Sequence, residues 1–199
     1  MKIILTALDE SLAKAWETFC GDIDFVEIHR GSIFDLNCDA VVSPANSFGF
    51  MDGGIDALYM SFFGSDIQTT VRQIISERHN GELLVGAADV VETGNERLPY
   101  LIVAPTMRIP MILRDTVNIY LAARAVFLLL KGNPDITTVA FPGLGTGVGR
   151  VSPAICAHQM RVAIDDILLG IFTLPSTWAE ASERHQLLYT DKLKRLQHE

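Results

Sequence analysis

Residues 39–56, DAVVSPANSFGFMDGGID, constrain this chain more than any other stretch. Ala40 to Val42 form an apolar strand that breaks at Pro44 into a short polar stretch ending at Asn46. A loop then leads to Gly53-Gly54 and to Asp56, near which a helix is expected to begin. A strand that delivers an Asn to its end, followed by a Gly pair opening a helix, is how α/β proteins build sites for phosphorylated ligands. Glycine lets backbone N–H groups approach an anion, and the helix N-terminus adds partial positive charge. A second Gly-rich turn, GLGTGVG at 143–149, follows a second apolar strand. The two loops together suggest a two-sided cradle for a diphosphate.

The bulk properties narrow the field. A chain of 199 residues, 49% of them hydrophobic, has material for one substantial core and is not of disordered composition. The formal net charge of −8 argues against general nucleic-acid binding, which needs a basic footprint, but not against one anionic ligand held by backbone groups. Cys20, Cys38 and Cys156 are scattered and odd in number, so no disulfide framework is implied. MKIILTALDE at the start reads as a strand rather than a signal peptide. With no run of about 18 apolar residues, no membrane span is expected, and a reducing, cytoplasmic setting is the default.

Taken in order, the pattern predicts strands over Lys2–Leu8, 24–29, Asp39–Ser43, Leu83–Val91, Tyr100–Ala104 and Thr137–Phe141. Helices are expected from Asp9 or Ser11 to about Phe19, over 55–63 and 66–79 with a break near Gly64, from Asp115 or Thr116 to Lys131, and from Ser152-Pro153 to about Leu169. The segment APTMRIP at 104–110 must be a loop, because Pro105 and Pro110 forbid a helix across it. The tail after Pro175 looks helical and charged. Strands interleaved with helices of this length indicate an α/β domain of three layers, α/β/α, with a mixed central sheet.

The composite pattern resembles the macro domain, the module that binds ADP-ribose. That family's first signature is roughly G-D-I, a spacer, D-A-[IV]-V-N-A-A-N, then a Gly-rich loop and an acid or apolar residue opening a helix. Here it reads GSI at 31–33, DAVVSPAN at 39–46 and GGID at 53–56. The second signature, F-P-x-[IL]-x-T-G-[IV] between a strand and a helix, appears within VAFPGLGTGV at 139–148, and YLIVAPT at 100–106 resembles a ligand-side strand between the two. The resemblance spans about residues 1–170 and implies a macro-like domain over 1–174 with a helical extension, 175–199, packed on or near it.

The resemblance also implies roles. Asn46 would hold the distal ribose hydroxyls, since a carboxamide both donates and accepts; as a bare residue it could instead cap its own loop. Ala45, Gly53, Gly54 and Ile55 would form the first loop, and Gly145, Thr146, Gly147, Val148, Gly149 and Arg150 the second, closing over the diphosphate. Taken alone, the glycines could be tight turns. Asp56 matches the acid that orients or deprotonates water in family members that hydrolyse ADP-ribose derivatives; it could also cap the helix it opens. Ser32 and Ile33 would lie at the adenine.

Several positions depart from the family's pattern. Ser32 stands where an Asp usually accepts from the adenine amino group, and Asp35 lies three residues on. Ser43 and Pro44 replace the first Asn and its following Ala, which should change loop rigidity more than chemistry. Gly149 and Arg150 occupy a stretch that often carries an aromatic, and Arg150 offers a forked guanidinium for a phosphate. For Phe172 and Trp178 the alternatives are an adenine platform or core, and for Arg108 a ligand contact or solvent. No metal set is apparent, since Cys156 and His158 at i and i+2 of a helix point apart. No cofactor is expected.

The resulting expectation is an ADP-ribose-binding protein that hydrolyses a derivative through Asn46 and Asp56. The reaction would be ADP-ribosyl hydrolysis, O-acetyl-ADP-ribose deacetylation or ADP-ribose 1″-phosphate dephosphorylation. The alternative is a non-catalytic reader or sequestering protein. Partners would be ADP-ribose, a related nucleotide or an ADP-ribosylated macromolecule.

Overall fold

Strand side chains alternate between faces, and here both faces are apolar, which requires helices on each side. In β3 (Ala40–Ser43) every residue is buried. The computed structural model describes residues 1–194; residues 195–199 of the expected extension lie outside the described residues. Its sheet runs β2-β1-β6-β3-β5-β4, with β1 at Lys2–Ala7, β2 at Val26–Arg30, β4 at Asp89–Glu92, β5 at Tyr100–Val103 and β6 at Thr138–Phe141. All neighbours are parallel except β4, which pairs antiparallel with β5.

One face of the sheet, with Ile3, Leu5, Val42, Ile102, Val139 and Phe141, shares a core with α1 (Glu10–Cys20), α4 (Asn118–Lys131) and α5 (Pro153–Ile167). The other, with Ile4, Val41, Leu101, Val103 and Ala140, packs on Tyr59 of α2 (Gly54–Phe63) and on Ile67, Val71 and Ile75 of α3 (Asp66–Arg78). This is an α/β/α domain with a mixed sheet. Each large apolar side chain fully removed from water, such as Phe127 or Leu101, contributes roughly 1.5–3 kcal/mol.

The local chemistry sets the element ends. Asp9 caps α1 by accepting from the Leu12 N–H, and Ser152 caps α5 with Pro153 in its first turn. Asp39 Oδ2 accepts from the Thr137 and Thr138 N–H groups, which clamps the start of β3 to the start of β6 and so aligns their far ends. The chain leaves β3 toward α2 on one face and β6 toward α5 on the other. That divergence at the carboxyl ends of adjacent parallel strands opens a crevice.

Two expected elements start late. Of the strand expected at Leu83–Val91 only the end is a strand, because Gly86 turns with φ +95° and Leu83 bonds to the Ser47 carbonyl instead of a ladder. The helix expected from Asp115 begins at Asn118, since Asp115 sits at φ +50°. The tail does form a helix, α6 (Trp178–Leu187), capped by Thr177. Arg184 Nη2 meets Asp166 Oδ1 at 2.6 Å, and Gln159 Nε2 donates to the Leu188 carbonyl, fastening the α6 region to α5.

Candidate functional site

A cleft of about 440 Å³ lies at the carboxyl ends of β1, β3, β5 and β6. Ser32, Ile33, Ala45, Asn46, Gly53, Gly54, Ile55, Asp56, Gly145, Thr146, Gly147, Val148 and Gly149 all line it. The sheet order brings the two glycine loops, some ninety residues apart in sequence, to one opening: β3 and β6 are paired, Ala40 beside Val139. Arg150 does not line the cleft. It is exposed, at φ +53°, so the phosphate role suggested by its guanidinium has no support in its position.

Asp56 is buried, and its Oδ1 accepts a 2.6 Å hydrogen bond from the Ser43 hydroxyl. Burial pushes its pKa up to about 6, with the Ser43 bond pulling the other way. The helix-cap reading of Asp56 is not what its side chain does: Gly53 is the N-cap residue and α2 has no side-chain cap bond. Ser43, expected to change loop rigidity more than chemistry, is the hydrogen-bond partner of the acid. Nearby, the fully buried Tyr59 hydroxyl donates to the Val42 carbonyl at 3.0 Å, fixing α2 against β3.

The Asn46 carboxamide organises its own loop. Its Oδ1 accepts from the Phe48 and Phe50 N–H groups at 3.1 and 3.3 Å, and its Nδ2 donates to the Phe50 carbonyl at 2.7 Å. One Nδ2 hydrogen remains for anything in the cleft. The loop-capping reading of Asn46 is what its side chain does here.

The second loop is shaped by its glycines. Gly145 is at φ +68°, and a Cβ on Gly149 would lie 2.5 Å from the Gly145 carbonyl oxygen. A Cβ on Gly147 would meet nothing within 4 Å, so packing alone does not require glycine there. Thr146 Oγ1 donates to the Gly143 carbonyl at 3.0 Å.

At the other end, Ser32 Oγ accepts from the Phe34 N–H and caps a 3-10 turn, Ile33–Asp35. Asp35 is exposed and does not line the cleft, whereas Asp9 does. Phe172, beneath the Arg184 guanidinium, and the exposed Trp178 also lie off the cleft lining, as does Arg108, which is paired with Glu82 at 2.6 Å. Sequence reasoning missed Asp9, Phe50 and Asp52 as lining residues. The last two sat in plain view inside the 39–56 segment; Asp9 was legible only as a helix cap.

Cys20, Cys38 and Cys156 are free and buried, with thiol pKa values pushed up to about 12, 11 and 12 by desolvation, which removes them as nucleophiles at neutral pH. Among the described residues, no helix is long and apolar enough to cross a membrane.

The family model "Macro domain" matches residues 42–160, which contain both glycine loops and Asp56. The chain belongs to the macro domain family. A protein of Aquifex aeolicus is 32% identical to it over 68% of this chain and 78% of its own length. A macro domain-containing protein of Caldanaerobacter subterraneus is 29% identical over 86% of this chain and 97% of its own. Solved macro domains share the fold. That of Mycobacterium tuberculosis DarG has TM-score 0.59 and 21% identity, covering 68% of this chain and 87% of its own. An Oceanobacillus iheyensis macrodomain variant with ADPR has TM-score 0.60 and 17% identity, covering 69% and 75%. Thermosipho africanus DarTG, in complex with ADP-ribose, has TM-score 0.57 and 15% identity, covering 80% and 49%.

Proposed function

We propose that this macro domain binds ADP-ribose or a derivative in the cleft and hydrolyses the derivative, with Asp56 activating water. The observation that carries the reading is Asp56 itself: a buried carboxylate on the cleft wall, between the two glycine loops, with its pKa raised to about 6. Such a group is mostly ionised at pH 7 yet basic enough to take a proton, the balance that general-base catalysis needs. In the proposed step Asp56 accepts a proton from water as the water oxygen bonds to the electrophilic centre beside the distal ribose. The bond to the leaving oxygen breaks, and that oxygen takes a proton from solvent.

Backbone N–H groups of 145–149 hold the diphosphate in this reading, the 53–55 loop faces the distal ribose, and the spare Nδ2 hydrogen of Asn46 meets a ribose hydroxyl. The structural neighbours solved with ADPR and in complex with ADP-ribose suggest the ligand class. Isothermal titration with ADP-ribose, followed by product analysis on ADP-ribosylated peptide, O-acetyl-ADP-ribose and ADP-ribose 1″-phosphate, tests it. Binding with turnover of one derivative supports the proposal; absence of binding refutes it.

One observation favours a second reading, a non-catalytic ADP-ribose reader: the Asn46 carboxamide is largely spent on its own loop, which leaves little to orient a ribose for reaction. Binding without turnover selects that reading. We also assign residues 1–174 to the domain proper and 175–199 to an extension, and place the protein in a reducing cytoplasm on the strength of its free thiols.

A further inference from the structure

The cleft wall carries charge of one sign only. Asp9, Asp52 and Asp56 line it, and among the described residues no Lys, Arg or His does. Arg72, the cation beside Phe50, bonds to the Phe48 carbonyl and stacks on the Phe50 ring at 4.2 Å without lining the cleft. Asp52 immediately precedes the N-cap Gly53 of α2 and Asp56 is in that helix's first turn, so the two carboxylates bracket the N-terminus at which an anion would otherwise be attracted. The second glycine loop differs: it carries no acid, and α5 behind it has none in its first turn. Phe50 and Leu58, 49% and 53% exposed, line the same cleft with apolar surface.

We propose that Asp52 acts as a charge filter, so that the cleft accepts ADP-ribose bearing an uncharged leaving group, such as an acyl ester, and rejects ADP-ribose bearing a terminal phosphate. This rests on the ADP-ribose reading above and narrows its substrate class. The diphosphate settles against the acid-free loop, Gly145–Gly149, and the distal ribose and whatever it carries settle against Asn46, Asp52 and Asp56. An uncharged group meets the apolar surface of the cleft. A 1″-phosphate meets the buried carboxylate of Asp56 and the exposed one of Asp52, with no cation among the described residues lining the cleft to offset them, and like charges brought together cost affinity.

The test is the ratio of dissociation constants for ADP-ribose 1″-phosphate and ADP-ribose, measured by titration on the full chain. The expected ratio is at least about tenfold at low salt. It should shrink as ionic strength rises, because screening weakens charge repulsion but not steric exclusion. Asp52→Asn, close in size to the native residue, should bring the ratio to within about threefold. A ratio near one for the native protein overturns the filter while leaving ADP-ribose binding intact. A high ratio indifferent to both salt and Asp52→Asn also overturns it and assigns the discrimination to shape. Failure of ADP-ribose itself to bind overturns the parent reading, and the filter with it.

Discussion

The Ser43 hydroxyl, at the end of β3, donates to the Asp56 carboxylate, in the first turn of α2, at 2.6 Å. Ser43 thereby does two things to the acid. It fixes the carboxylate's orientation from behind the cleft wall, and it opposes the upward push of burial on its pKa. A hydrogen bond to the ionised form favours ionisation.

Removing that bond should move the acid's titration in a definite direction. In Ser43→Ala the carboxylate stays buried and loses its donor, so its pKa rises above the native value of about 6. The rising limb of the pH–rate profile, set by ionisation of the base, should shift to higher pH. Activity then falls most near pH 6–7 and recovers above it. A uniform drop across all pH values would mean that Ser43 only supports the loop.

Asp56→Asn separates chemistry from binding. It should lower turnover about 10²–10⁴-fold, the usual cost of losing a general base, and leave ADP-ribose affinity within a few-fold. Full turnover in this variant would remove Asp56 from the mechanism.

The same substitution has a stability signature. Burial raises the folded-state pKa of Asp56 from 3.8 to about 6, so the folded protein holds this proton more tightly than the unfolded chain. Its contribution is therefore full below about pH 3.8 and is lost as pH rises through about 6. Asparagine stays neutral throughout. By urea unfolding, Asp56→Asn should gain up to roughly 3 kcal/mol over the native protein at pH 8, with the gain fading toward pH 4. A gain independent of pH would show that desolvation of the charge is not its source.

Periodicity made most of the fold legible. The continuous apolar runs of β1, β3 and β6 and the break at Gly64 between α2 and α3 are local patterns, and the structure reproduces them. Where local sequence failed, a tertiary bond had taken over: Leu83, where a strand was expected to begin, pairs with the Ser47 carbonyl, and Asn118, where the helix expected from Asp115 or Thr116 does begin, donates from Nδ2 to that of Thr106. The glycine loops of the cleft were legible because backbone approach demands glycine. Asp52 and Phe50 were not, because nothing in a residue's type says that it faces an opening built from a strand ninety residues away. Ser43's contact with Asp56 was hidden for the same reason: it crosses from a strand to a helix.

Gly147 and Gly149 should respond oppositely to the same change. Gly147 has open space where a side chain would grow, into the cleft. Gly147→Val should abolish detectable ADP-ribose binding and leave the melting temperature nearly unchanged. A Cβ at Gly149 strikes backbone at 2.5 Å, so Gly149→Val should destabilise the fold by roughly 1–3 kcal/mol. Thermal melts and titrations on both variants check this; native affinity in Gly147→Val would dissociate the second loop from the diphosphate.

Ser32 and Asp9 stand side by side at the remaining end of the cleft. Each follows by two residues a member of the parallel pair Ala7–Arg30, so both emerge from the same edge of the sheet. Ser32 is a neutral acceptor, and its oxygen already takes the Phe34 N–H. Aspartate is at least as good a cap as serine, so Ser32→Asp should keep the 3-10 turn and add a carboxylate oxygen facing the cleft. A charge-assisted bond to an adenine amino group is worth about 1–2 kcal/mol more than a neutral one, which predicts ADP-ribose binding tightened by about 5–30-fold. Asp9 supplies the control. Its Oδ1 accepts from Ser11 and the Leu12 N–H as the α1 cap, and its carboxylate already lines the cleft. If Ser32→Asp brings no gain while Asp9→Asn, which keeps much of the capping ability, weakens binding, then Asp9 reads the base in place of the missing acid. If neither variant changes affinity, the cleft does not recognise adenine through a carboxylate at all.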